Sequence, residues 1–147
     1  MSDLQAVADR VEIEALRGEF TDAAMMCDYD RFASLFTHDA VYRIPDANVE
    51  QNGREEIRAG TERLAGEWEY FVQTTHPGAI QLDGDTASGR AYIQELGLLR
   101  DGRSVFNYAC STTATGAPRT AGSSPSASTR SGTSTPLLCR AHPTWTG

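Results

Sequence analysis

Lysine is absent from this 147-residue sequence: all thirteen basic residues are arginine, set against twenty aspartates and glutamates. The net charge of -7 removes the electrostatic basis for binding nucleic acid or an anionic membrane. Cysteine is scarce. Cys27, Cys110 and Cys139 are odd in number, scattered and without a Cys-x-x-Cys pair, which argues against a disulfide framework and a zinc site. No apolar run reaches the roughly 20 residues of a membrane span, and the N-terminus lacks the basic and apolar regions of a signal peptide. A cytoplasmic chain is therefore expected. No P-loop or dinucleotide fingerprint follows any predicted strand, so no nucleotide cofactor is expected. What remains is one domain's worth of chain with 39% hydrophobic residues, enough for a single lean core.

A further absence divides the chain. Every acidic residue lies between Asp3 and Asp101, and residues 111–147 hold three arginines among nine threonines and seven serines. Such a segment has little to bury, so the expected division is a domain at 1–110 and a low-complexity, disordered tail at 111–147. The boundary follows the strand-like run Ser104–Cys110, which would leave a sheet with an open edge. Arginine-only usage suggests a GC-rich gene. Codons compatible with Ser111–Pro136 can spell, one frame over, two strand-like runs joined by a Pro-Asp-Gly turn. We therefore expect a frameshifted tail whose terminal sheet strands are missing or scrambled; stop codons in that frame of the coding DNA would refute this. The alternative is a natural low-complexity tail.

Within 1–110, Leu4, Val7, Val11, Ile13, Leu16, Phe20 and Ala23 recur at helical spacing, predicting a helix from Asp3 to Met26. Asp28 is placed to cap a short second helix with Phe32 and Phe36 on its apolar side. Ala40–Ile44 reads as a strand, 46–53 as a polar loop, and Arg54–Leu64 as a third helix ending at Gly66. Glu69–His76 is aromatic and β-branched and reads as a strand, continued through a bulge by Gly78–Leu82. Turns at Asp83-Gly84-Asp85 and Arg100–Arg103 then delimit a long strand, Thr86–Leu99. Helices followed by a meander of strands indicate an α+β fold.

The runs Asp28-Tyr-Asp-Arg-Phe-Ala-Ser-Leu-Phe-Thr-His-Asp-Ala-Val41, Gly53-Arg-Glu-Glu-Ile57, Thr74-Thr-His-Pro-Gly78 and Leu82-Asp-Gly-Asp-Thr-Ala87 resemble the SnoaL-like branch of the nuclear transport factor 2-like superfamily. The resemblance covers about residues 5–110. It implies a cone, with a curved antiparallel sheet wrapping N-terminal helices around a mostly apolar pocket. It also implies a small apolar ligand and a homodimer in intact relatives. The superfamily holds dehydratases, cyclases, an isomerase, a dehydrochlorinase and proteins that only bind or dimerise, so fold alone does not give activity.

His76 is the leading catalytic candidate. It ends a strand rich in threonine and aromatics, where a pocket-facing imidazole could take a proton from an activated carbon. By resemblance it matches the base of the dehydrochlorinase and dehydratase branches, where an aspartate orients the imidazole. Ungapped alignment places Met25 at that aspartate and Phe20 at a lysine of the dehydrochlorinase, while a late arginine would fall in the tail. A helper for His76 would then be Asp22 or Glu95. Phe20, Met25, Tyr42, Trp68, Phe71, Tyr92 and Tyr108 are the expected ligand contacts, although the same aromatics could form the core. Asp28, Asp30, Asp39 and Asp46 lack the spacing of a hard-cation loop and read as caps and turns, so no metal is expected. His38 reads as a surface residue, and His142 in the tail carries no weight. Two readings stand: a cofactor-independent lyase or isomerase with His76 as general base, or a non-catalytic small-molecule binder or dimerising scaffold.

Overall fold

The computed structural model describes residues 3–44, 47–116 and 129–130. The element order is α1 (Asp3–Met25), α2 (Tyr29–Ser34), β1 (Val41–Ile44), β2 (Val49–Asn52), α3 (Arg54–Ala65), β3 (Trp68–His76), β4 (Ile80–Asp83), β5 (Thr86–Leu99), β6 (Ser104–Gly116) and β7 (Thr129–Arg130). The α+β class expected from the sequence is what the chain adopts. Asp46, Cys139 and His142 lie outside the described residues.

Local chemistry accounts for the helix boundaries. Cys27 takes a positive φ of 55° after α1, and Asp28 then accepts a hydrogen bond from the Arg31 amide at 3.1 Å, capping α2. Gly53 opens α3 at φ 83°, where a glycine is favoured, and Glu56 reaches back to the Asn52 amide at 2.7 Å. These turns bring α1, α2 and α3 together over one apolar cluster: Ala23, Phe32, Phe36, Ala40 and Ile57, with Phe20 and Tyr42 packed against it. Its rings interlock. Phe20 and Phe32 are 4.8 Å apart between centroids, Phe32 and Phe36 5.4 Å, and Phe36 and Tyr42 5.8 Å in an edge-on arrangement.

The structure corrects several expectations. The loop expected at 46–53 contains β2, which pairs antiparallel with β1 so that Tyr42 faces Gln51 across the ladder. Gly60 on α3 leaves the space that the Gln51 side chain fills. The expected bulge at His76–Gly78 is instead a register shift between Trp68 and Tyr70, and β4 pairs separately with β5. On α1, Leu4, Val7 and Val11 are exposed, so the apolar periodicity there does not mark a covered face among the described residues. Finally, β6 runs on to Gly116 in continuous register with β5, six residues past the expected boundary at Cys110.

The main sheet has the order β3-β5-β6-β7, with β4 also on β5. Two arginines of α1 tie the helix to it. Arg10 donates to the Ile80 carbonyl at 2.9 Å and Arg17 to the Arg90 carbonyl at 2.9 Å. The β4 entry is tight: a Cβ on Gly78 would lie 2.1 Å from the Arg90 carbonyl oxygen, whereas one on Gly18 in α1 would meet nothing within 4 Å. Gly78→Ala is accordingly expected to destabilise the fold by about 2 kcal/mol. Gly18→Ala is expected to stabilise it by about 0.5–1 kcal/mol, since alanine is the better helix former. Urea unfolding followed by circular dichroism checks both signs.

Candidate functional site

Residues two apart on a strand share a face. On β3, Phe71, Gln73 and Thr75 face the helices, while Tyr70, Val72, Thr74 and His76 face away and are exposed. Two contacts with α1 mark the inner side. The Thr21 and Thr75 hydroxyl oxygens lie 2.6 Å apart, and the Gln73 backbone N–H donates to the Met25 sulfur at 3.1 Å. A groove of about 370 Å³ follows this seam, lined by Arg17, Gly18, Thr21, Met25, Thr75 and Pro77 among others.

At the centre of the inner face, one row of the ladder is polar across three strands. Glu95 on β5 stands opposite Gln73 on β3 and Asn107 on β6. Its carboxylate accepts from Gln73 Nε2 at 2.9 Å and from Asn107 Nδ2 at 2.8 Å. An ionised carboxylate only accepts, so both amides turn their NH₂ groups towards it. Gln73, 8% exposed, is left with a buried Oε1 that has no hydrogen-bond partner among the described residues. Apolar groups flank the row. Phe71 and Trp68 lie on the same side with ring centroids 5.0 Å apart, and Trp68 packs over Gly97, where a Cβ would come 2.8 Å from its ring. Tyr42, on β1, feels the charge of Glu95. Burial pushes its phenol well above the ordinary tyrosine range, and the Glu95 charge adds to the effect.

Residues 5–120 match the SnoaL-like domain. The chain belongs to that family. Structural relatives agree on the fold. One from Novosphingobium aromaticivorans, provisionally described as an aromatic ring hydroxylase, is 27% identical over 74% of this chain and 78% of its own, with a TM-score of 0.69. The hexachlorocyclohexane dehydrochlorinase LinA-type3 from Novosphingobium barchaimii is 20% identical over 97% and 99%, with a TM-score of 0.73. A protein from Novosphingobium aromaticivorans provisionally described as a scytalone dehydratase is 16% identical over 88% and 83%, with a TM-score of 0.70. No curated protein matches the chain. The SnoaL-like fold is thus that of the nuclear transport factor 2-like superfamily, with small-molecule-processing relatives.

Within that fold, the sequence-predicted residues separate. Phe20, Met25, Tyr42, Trp68 and Phe71 are half-buried on the helix side. His76 is not: it stands on the outer face, exposed, opposite Tyr92. The expectation of a pocket-facing imidazole is corrected by parity, since His76 is three residues from the inward Gln73. Tyr92, 48% exposed, and Tyr108, 57% exposed, share that outer face and do not line the inner one. Asp22 is exposed and paired with Arg31, which also binds Glu19 at 3.0 Å. Glu95 points inwards, away from His76. Among the described residues no three metal-ligating side chains converge. Sequence reasoning missed Gln73 and Asn107; counting alternate residues from Phe71 and Val105 would have placed both on the inner face.

The Tyr42–Glu95 relation has a measurable consequence. The raised phenol pKa means the folded state holds that proton more tightly than the unfolded chain does. Its stabilising contribution is therefore complete below about pH 10, the unfolded tyrosine value, and is lost as pH rises towards the folded value. Ultraviolet titration at 295 nm is expected to show Tyr42 ionising after the exposed tyrosines, with Glu95→Gln moving its step to lower pH.

Proposed function

We propose that this SnoaL-like chain binds a small apolar molecule on the inner face of its sheet, beneath α1, and that His76 is not a catalytic base. The observation that carries this reading is that the side of β3 facing α1 presents Gln73, whose backbone N–H meets the Met25 sulfur, while His76 lies on the exposed side. The aspartate implied by resemblance is Met25, a thioether, and the buried β3 side chain on the helix side is the Gln73 carboxamide; neither relays a proton at neutral pH. Both suit holding a ligand: methionine packs adaptably and the amide fixes orientation. The chain is cytoplasmic and its ligand binding needs no cofactor in this reading. A second reading keeps the lyase chemistry printed for the dehydrochlorinase relative and moves the base to Glu95, the carboxylate of the inner row. Elimination from a supplied substrate, abolished by Glu95→Gln, would favour it.

Binding is tested with the neutral fluorescent probe N-phenyl-1-naphthylamine. Saturable enhancement is expected, weakened about tenfold by Met25→Trp, which fills the seam, and unchanged by His76→Ala. Unsaturable partitioning, or loss of binding in His76→Ala, would overturn the proposal.

The outer face suits a second copy of the chain. Tyr70, Tyr92, Phe106 and Tyr108 project from adjacent strands at 48–59% exposure, and Phe106 and Tyr108 pack edge-on at 5.0 Å. Aromatic residues in one contiguous patch are the usual composition of an interface centre. Size exclusion with light scattering is expected to give a homodimer, and Tyr108→Glu a monomer; a wild-type monomer at micromolar concentration would refute this.

A further inference from the structure

We infer that the Gln73–Glu95–Asn107 row recognises an ammonium group carried on an apolar molecule. The inference rests on the small-molecule reading above and names its ligand class.

Glu95 takes part in none of the ion pairs formed among the described residues. The arginines that could neutralise it are committed elsewhere. Arg17 binds Glu14 at 2.8 Å and the Arg90 carbonyl, Arg31 binds Glu19, Asp22 and Asp28, and Arg43 binds Glu50 at 2.8 Å. Two amide donors hold the Glu95 carboxylate in place, but amides carry no charge, so among the described residues the inner face keeps an uncompensated negative centre. Beside it lies the Gln73 Oε1, buried and unpartnered. The amide cannot rotate to satisfy that oxygen without breaking its bond to Glu95.

The unmet needs of the row are therefore a positive charge and a hydrogen-bond donor, side by side. A primary ammonium supplies both, with three N–H donors on one atom. One can serve the carboxylate and another the orphan carbonyl. A hydroxyl would satisfy the carbonyl but leave the charge, and a carboxylate would meet Glu95 as a like charge. The chain's net charge of -7 favours the approach of a cation.

The test uses the full chain and three naphthalene probes of one shape, measured by isothermal titration calorimetry at neutral pH. 2-Naphthylmethylamine is expected to bind at least about tenfold more tightly than 2-naphthalenemethanol, with 2-naphthoate weakest. In Glu95→Gln the amine is expected to fall to the alcohol's affinity, with the alcohol little changed. The wild-type comparison stands by itself should that variant not fold. Equal binding of amine and alcohol, or tighter binding of naphthoate, overturns the inference and leaves the small-molecule reading intact. An amine preference that survives in Glu95→Gln also overturns it. Failure of all three probes to bind overturns both.

Discussion

Successive residues of a strand point to opposite faces, and the β3–β5–β6 sheet has helix on one face and, among the described residues, nothing on the other. Side-chain parity along these strands therefore sorts residues into two chemically different surfaces. Odd positions of β3 from Phe71 to Thr75 meet α1, and even positions from Tyr70 to His76 meet solvent. A register slip of one residue would exchange the two sets, so the tight packing of Trp68 over Gly97 and the continuous β5–β6 ladder are functional constraints as well as structural ones.

The inner surface is organised by a single acceptor. Because Glu95 can only receive hydrogen bonds, it dictates how Gln73 and Asn107 turn, and it leaves Gln73 with an orphan oxygen facing the interior. A buried acceptor without a partner is an expense that a fold optimised for stability alone would remove, for example by a leucine at Gln73. It stands beside a carboxylate that forms no ion pair among the described residues, which agrees with the proposed ammonium ligand. The outer surface has the opposite character, aromatic and uncharged at its centre, and suits a protein partner better than a reaction.

Membership of the SnoaL-like family sits comfortably with this division. The family's relatives are described with different chemistries, and here the same sheet-and-helix frame carries Met25 where the resemblance implies an aspartate.

Much of the architecture was legible in the residues themselves. Helical spacing after Asp3, the Asp28 cap, the glycine turns at Gly84 and Gly102 and the exact span Thr86–Leu99 all depend on local conformational preference, which acts within a few residues and can be read from the chain. The β2 strand was not legible, because Val49–Asn52 is short and polar and is held by its pairing with β1. Nor was the orientation of His76, since a bulge at Trp68 and the absence of one at His76 decide which face it joins. Sequence by itself determined the class and the order of the helices and long strands, and it put a methionine at position 25. Tertiary structure alone decided that Gln73, Glu95 and Asn107 form one row and that His76 lies outside it, because residues so far apart in the chain become neighbours only through strand register.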